Sequence, residues 1–362
     1  MKKNNDIEVL RAIGILYVII SHLPTFTPWA PSWHTVIFNH TYFWSGVDLF
    51  FAVSGFVIMK SISPWISKDK NEKYLSDTVS FWVKRFYRLI PASWFFLLLT
   101  FIASIVFNKY GTLGVPNNNF IDALTQFFYL SNWRVYYCNI SQASCGLNSH
   151  YWSLSLEEQF YFLLPVAIFL LRKKVVFLFI ALIIVQFPLD RVVGGWLWLN
   201  RIDSMMWGCL IALLSESRYF SMCKPTSLKN PLMRWFVCGM LLAALAYFAR
   251  GEMFSFHMGV VALVSGVMVW ISSYGEGLLF GRLAKNRVVL WIASRSYSLY
   301  LAHPLSFVFM MEFCKRTKGP LNGSDTFAIL FFGSLITVIL TEISYRYIET
   351  PFRIKGKKIV EN

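Results

Sequence analysis

The stretch IEVLRAIGILYVIISHL, residues 7–23, decides the fold class. It is nearly continuous in apolar side chains over a length that crosses a bilayer core, which takes about 17–25 residues as a helix. Yet it carries Arg11 and His22. Comparable runs recur along the whole chain, at 43–62, 88–107, 152–171, 175–193, 203–215, 235–249, 256–274, 288–311 and 327–348. The pattern predicts an all-α, polytopic integral membrane bundle of about ten transmembrane helices. Composition agrees: 56% of the 362 residues are hydrophobic and 15% are charged, where a soluble surface usually needs about 25–35% charged residues. A disordered chain, a disulfide scaffold and an ordinary cytosolic enzyme are excluded.

The net charge of +15 would suggest nucleic acid in a soluble basic protein. In a spanning protein it reads first as topology, because loops on the inner side collect Lys and Arg. With the N-terminus inside, twenty-three of the 34 Lys and Arg fall in inner segments and eight in outer ones. That partition predicts N-in, C-in and gives no reason to expect nucleic acid. Residues 354–362 then form a short basic cytoplasmic tail behind a transmembrane domain of residues 1–353. The first span lacks a small-residue cleavage site and is followed by Pro24, Pro28 and Pro31, so it reads as a helix and not as a cleaved signal. Cys138 and Cys145 share the long outer loop and are either a disulfide, if that side is oxidising, or two thiols. No cysteine or histidine spacing resembles a metal site.

Ionisable groups inside spans are costly, so each is a candidate for function. Arg11 and His22 lie eleven residues apart, close to three helical turns, hence on one face and about 16–17 Å apart along the axis. A histidine so placed is either a hydrogen-bond partner for another helix or a catalyst. In GVDLFFAVSGFVI, Asp48 sits just inside the outer end of its span, either capping the helix or orienting an imidazole such as His22. Arg85 and Arg88, in FWVKRFYRLIPA, share a face at a helix entrance. Their charge opposes the helix dipole there, and forked guanidinium donors suit phosphate or pyrophosphate; the competing reading is inner-face anchoring. HYWSLSLEEQFYFLLP places His150, Glu157 and Glu158 at an outer membrane entrance. The two carboxylates point to different faces, so at most one serves a given site, and a proton or cation pathway is the rival account. Weaker features are Arg201 with Asp203, expected to pair with each other; Arg295, Tyr297, Tyr300 and His303 in SRSYSLYLAHP; and Glu342, Arg346 and Glu349, expected to pair mutually.

Taken in order, these segments resemble the membrane-bound acyltransferase family 3, the bacterial O-acyltransferases of polysaccharides. The resemblance rests on Arg11 with His22, GVDLFFAVSGF (46–56), the Arg85/Arg88 pair, HYWSLSLEEQFY (150–161), SYSLYLAHP (296–304) and YIETPF (347–352). It covers residues 7 to about 353. The resemblance implies a multi-pass protein of the bacterial cytoplasmic (inner) membrane. Its activity would be transfer of an acyl group, usually acetyl from acetyl-coenzyme A, without a metal, to a hydroxyl of a cell-envelope saccharide. Lipopolysaccharide O-antigen, capsule, exopolysaccharide and peptidoglycan are typical acceptors. Some relatives carry an appended SGNH esterase-like domain; this sequence is expected to lack it, leaving direct transfer or a periplasmic partner for the acceptor step.

On that reading Arg85 and Arg88 hold the phosphates of acyl-coenzyme A at the inner face. The pantetheine arm passes Arg11, and His22 acts as general base or as acyl carrier. Asp48, Glu157 or Glu158 orients the imidazole or couples to its proton. The uncharged aromatic loop from Trp29 to Trp44 either stacks on sugar rings or anchors in lipid. The rival function is a proton-coupled transporter or flippase of an envelope glycan, which predicts inverted repeats with interrupted helices. No such symmetry is evident in the sequence.

Overall fold

The computed structural model describes residues 4–67, 72–251 and 254–361. Lys2, Lys3, Lys68 and Lys70, counted among the inner cations above, lie outside the described residues. The described residues form helices joined by turns and loops and contain no strand. The first half comprises α1 (Asn5–Phe26), α2 (Ser32–Phe38), α3 (Gly46–Ile62), α4 (Glu72–Val106), α5 (Pro116–Phe127), α6 (Ser131–Ser141), α7 (Trp152–Leu171) and α8 (Val175–Gln186). The second comprises α9 (Trp196–Leu199), α10 (Asp203–Leu214), α11 (Pro231–Phe248), α12 (His257–Ser273), α13 (Arg287–Ser294), α14 (Ser296–Lys318), α15 (Thr326–Ser344) and α16 (Thr350–Glu361).

Every stretch predicted to span is largely helical, and among the described residues six helical segments are long and apolar enough to cross a membrane. They are Asn5–Phe26, Gly46–Ile66, Lys73–Val106, Trp196–Leu214, Pro231–Phe248 and Gly323–Glu361. The protein is therefore a multi-pass helical membrane protein. Two predicted spans are cut short. The 175–193 helix stops at Gln186, just ahead of Pro188, which has no backbone N–H with which to continue the helical ladder. The 288–311 helix breaks at Arg295 (φ −111°, ψ 7°), whose guanidinium instead bonds Glu342 of α15 at 2.7 Å. The basic end of the chain is itself helical: α16 lies along α4, with Gly356 packed so closely on Tyr87 that no Cβ would fit between them.

The helix pair that positions the site is α3 with α10. Gly55 of α3 presses on the Met205 carbonyl, and Gly208 of α10 presses on the Ala52 carbonyl. A side chain at either position would force the backbones apart, and small residues are what allow membrane helices to approach this closely. At the N-terminus of α1, the Asn4 side chain accepts from the amides of Asp6 (2.9 Å) and Ile7 (3.3 Å) and donates to the Ser272 carbonyl of α12 (2.9 Å). A helix cap of this kind satisfies otherwise orphaned amides, and here it also fixes the height of α1 in the bundle. Arg11 and His22, both on α1, inherit that height.

Candidate active site

Two neighbouring spaces, one wide and one narrow, share Arg85 and Arg88 in their walls. The wide one is a vestibule of about 520 Å³, walled by Lys84, Arg85 and Arg88 of α4 and by Arg353 and Lys357 of α16, with Trp65, Phe81 and Asp77 also in its lining. Arg85 and Arg88 also line the second space, a slot of about 90 Å³ between α1, α3, α4, α7 and α14. Arg11, Ser54, Glu157 and Tyr161 stand in the slot wall, as do Ser153 and Tyr300. The Arg11 guanidinium bonds Glu8 one turn below it at 2.8 Å. Arg85 lies over the rings of Phe81 and Tyr161, each 5.4 Å from the guanidinium carbon. Glu157 accepts from the hydroxyls of Ser54 and Tyr161, so it faces the slot with its charge shared between two donors. Glu158 points the other way, is buried, and accepts from Gln126 Nε2 at 3.0 Å. The structure thus separates the two neighbouring carboxylates, as helix geometry requires of adjacent residues.

Tyr300 is the residue that joins the slot to a cluster of three histidines. Its hydroxyl bonds the Ser153 hydroxyl at 2.7 Å and donates to the His150 carbonyl at 2.6 Å. Its ring lies 6.0 Å from His303 and 5.5 Å from His150. His303 is fully buried, and its Nδ1 sits 3.1 Å from the Leu299 carbonyl. A carbonyl only accepts, so Nδ1 carries the proton and the Nε2 of a neutral His303 is an acceptor. That Nε2 lies 2.7 Å from His22 Nδ1, with the two rings stacked at 5.0 Å between centroids. The network therefore assigns His22 the tautomer protonated on Nδ1, with the lone pair on Nε2 free to take a proton. Fixing one nitrogen of a histidine to prepare the other is the standard requirement for a general base.

The carboxylates that sequence reasoning set beside His22 are elsewhere. Asp48 accepts from Arg201 at 3.0 Å (Nε to Oδ1) and 3.0 Å (Nη2 to Oδ2), and from the Ser204 hydroxyl at 3.2 Å. Arg201 is fully buried and is stacked among Trp44, Trp152 and Trp198, 5.1, 4.8 and 4.2 Å from the three ring centroids. Asp203, expected to pair with Arg201, is instead held by Arg191 at 2.6 Å. The exchange has a simple cause. Neighbouring residues 201 and 203 straddle the start of α10, so their side chains diverge to different helices. Glu342 does pair with Arg346 as expected, at 2.5 Å, and also with Arg295; Glu349 bonds the Ser298 hydroxyl at 3.0 Å.

A family model of the acyltransferase domain, type 3, matches residues 4–345 of the chain. The chain belongs to the acyltransferase-3 family. Among curated proteins it is 28% identical to the O-acetyltransferase OatA of Staphylococcus aureus (strain NCTC 8325 / PS 47), over 97% of this chain and 57% of that protein. It is also 28% identical to a putative O-acetyltransferase of Staphylococcus aureus (strain MSSA476), over 99% of this chain and 58% of that protein. The chain thus spans less than three fifths of the length of these relatives. No solved structure matches it.

Within this acyltransferase-family chain, the residue that sequence reasoning undervalued is His303. In the sequence SYSLYLAHP is one of the weaker clusters, with nothing to show what His303 meets. Its partner lies 281 positions away on α1, a distance that no helical periodicity spans. Cys138 and Cys145 form a disulfide with a Cα–Cα distance of 5.8 Å. It closes the turn after α6, and Cys145 lies two residues before the Leu147–Tyr151 corner that carries His150.

Proposed function

We propose that this chain is an O-acetyltransferase that moves an acetyl group from cytosolic acetyl-coenzyme A to a hydroxyl of an extracytoplasmic saccharide. On this reading the bundle has ten spans and both termini inside, and the protein resides in the bacterial cytoplasmic membrane. The observation that carries the proposal is the continuity of the walls. Arg85 and Arg88 border both the vestibule and the slot, Tyr300 borders the slot and touches His303, and His303 fixes the tautomer of His22. A wide charged mouth leading to a narrow slot matches coenzyme A, which has a bulky phosphorylated head and a thin pantetheine arm.

In this reaction the saccharide oxygen attacks the thioester carbonyl while His22 Nε2 takes the hydroxyl proton. The carbon–sulfur bond breaks, and the coenzyme A thiolate leaves and recovers that proton, giving an acetyl ester and the free thiol. Arg11, on the arm's route between the vestibule and His22, and the forked donors of Arg85 and Arg88 hold the donor. Glu157, already bonded to two hydroxyls, shapes the slot beside them. The acceptor approaches from the outer side, where the uncharged aromatic segment from Trp29 to Trp44 offers stacking surfaces. The names of the two staphylococcal relatives are in keeping with this chemistry.

The test is incubation of the purified protein with radiolabelled acetyl-coenzyme A and isolated envelope glycans. Label is expected in the glycan with the native protein, and about 10²–10⁴-fold less with His22→Ala, the usual contribution of a general base. Transfer by His22→Ala at the native rate would remove the histidine from the chemistry. Movement of glycan across a vesicle membrane with no label transferred would replace the enzyme by a flippase.

A further inference from the structure

The vestibule holds more positive charge than a pyrophosphate needs. Lys84, Arg85 and Arg88 approach from α4, and Arg353 and Lys357 approach from α16. Arg353 and Lys357 are one helical turn apart and, with Val360, present one face of α16 to the space. Among the described residues none of the five cations forms an ion pair, whereas other arginines of the chain do so; the Glu349 carboxylate lies close enough to feel the charges of Arg88 and Arg353. Asp77 is the acid in the vestibule lining. α16 is held rigidly enough to make this face a wall: Gly356 abuts Tyr87, and the Phe352 and Tyr87 rings stack at 6.4 Å. Five cations around one space of about 520 Å³, a volume ordinary for a small-molecule site, outnumber the acids beside them, Asp77, Glu157 and Glu349, and the surplus suits an anion of more than one charge.

We propose that α16 supplies a second phosphate subsite, in which Arg353 and Lys357 bind the 3′-phosphate on the ribose of coenzyme A while Arg85 and Arg88 bind its pyrophosphate. This rests on the donor reading above and adds to it the part of the donor that is recognised. The chemistry is that of two separated anions on one ligand: a diphosphate linker and a monoester phosphate a few ångströms away. The two arginines on α4 and the Arg–Lys pair on α16 form two such clusters on facing walls. Trp65 and Phe81, in the same lining, give the adenine an aromatic surface.

The experiment is a titration of the purified full chain with coenzyme A and with dephospho-coenzyme A, which differ only by the 3′-phosphate. The native protein is expected to bind coenzyme A at least about tenfold more tightly, the usual worth of charge-assisted hydrogen bonds. The Arg353→Ala, Lys357→Ala double variant is expected to lower coenzyme A affinity to that of dephospho-coenzyme A and to leave the latter unchanged. Equal binding of the two ligands by the native protein overturns the subsite while leaving coenzyme A as donor. A double variant that keeps the native preference moves the 3′-phosphate away from α16 and overturns the assignment. Failure of the native protein to bind either ligand overturns the donor reading itself. Lys357→Ala alone, at an exposed position on α16, repeats the comparison with the least disturbance to packing.

Discussion

Arg201 and Arg88 both carry a permanent charge into a bundle of apolar helices, and their surroundings differ in kind. Arg201 is fully enclosed; Asp48 neutralises it, the Trp198 carbonyl accepts from it at 2.6 Å, and three tryptophans cover it. Arg88 stands with Arg85 in the walls of two spaces and has no ion-pair partner among the described residues. A buried charge with every donor satisfied is spent on holding helices together, here α3 to the start of α10. A charge facing an open space without a partner is available to a ligand. In the sequence Arg88 stands out as a donor-binding candidate and Arg201 reads as a weaker feature beside Asp203; their neighbours are what separate a fastening from a binding site.

The comparison breaks if Asp48 proves to serve the reaction. Asp48→Asn leaves Arg201 charged and enclosed without its counter-ion, and removing one partner of a buried pair destabilises by about 3–5 kcal/mol. The expected result is a marked drop in thermal stability in detergent, with donor affinity unchanged in the protein that remains folded. A variant of native stability that no longer transfers acetyl would move Asp48 into the active site. A smaller effect sharpens the other side of the comparison. His303→Ala removes the hydrogen bond that fixes the His22 tautomer, and is expected to slow transfer by about tenfold, roughly what one hydrogen bond contributes. Acetyl-coenzyme A affinity should not move, because His303 lies outside the vestibule and the slot. The smallest change is expected at Lys355, exposed on α16 and 6.0 Å over the Tyr87 ring. Lys355→Ala should leave donor affinity within about twofold of native, since an exposed cation–π contact contributes about 0.5–1 kcal/mol to packing and not to the ligand.

Much of this was legible before any coordinates. The apolar runs located the helices, because a bilayer imposes a length and a composition that few other environments demand. The motifs around Arg11, His22, Arg85, Arg88 and Glu157 pointed to the right family and to three of the elements that line the slot. Partnerships were not legible. Asp48 and Arg201 are 153 residues apart, and His22 and His303 are 281 apart; each pair meets only because helices distant in sequence pack side by side. Sequence reasoning joined neighbours instead, Arg201 to Asp203, and chose a carboxylate for His22 because carboxylates commonly orient histidines. The role of α16 was hidden for a similar reason. Its Lys and Arg read as an inner-face address, and the periodicity that turns Arg353 and Lys357 toward one space matters only once α4 is known to stand opposite.

The central claim is that donor binding and proton transfer reside in different places, the vestibule with its unpaired arginines and the His22–His303 pair. Equilibrium binding of acetyl-coenzyme A to two purified variants tests it most directly. His22→Ala is expected to bind acetyl-coenzyme A with native affinity while failing to transfer. The Arg85→Ala, Arg88→Ala double variant is expected to lose at least about tenfold in affinity, the worth of the charge-assisted bonds removed. Native affinity in the arginine variant, or lost affinity in the histidine variant, would contradict the account.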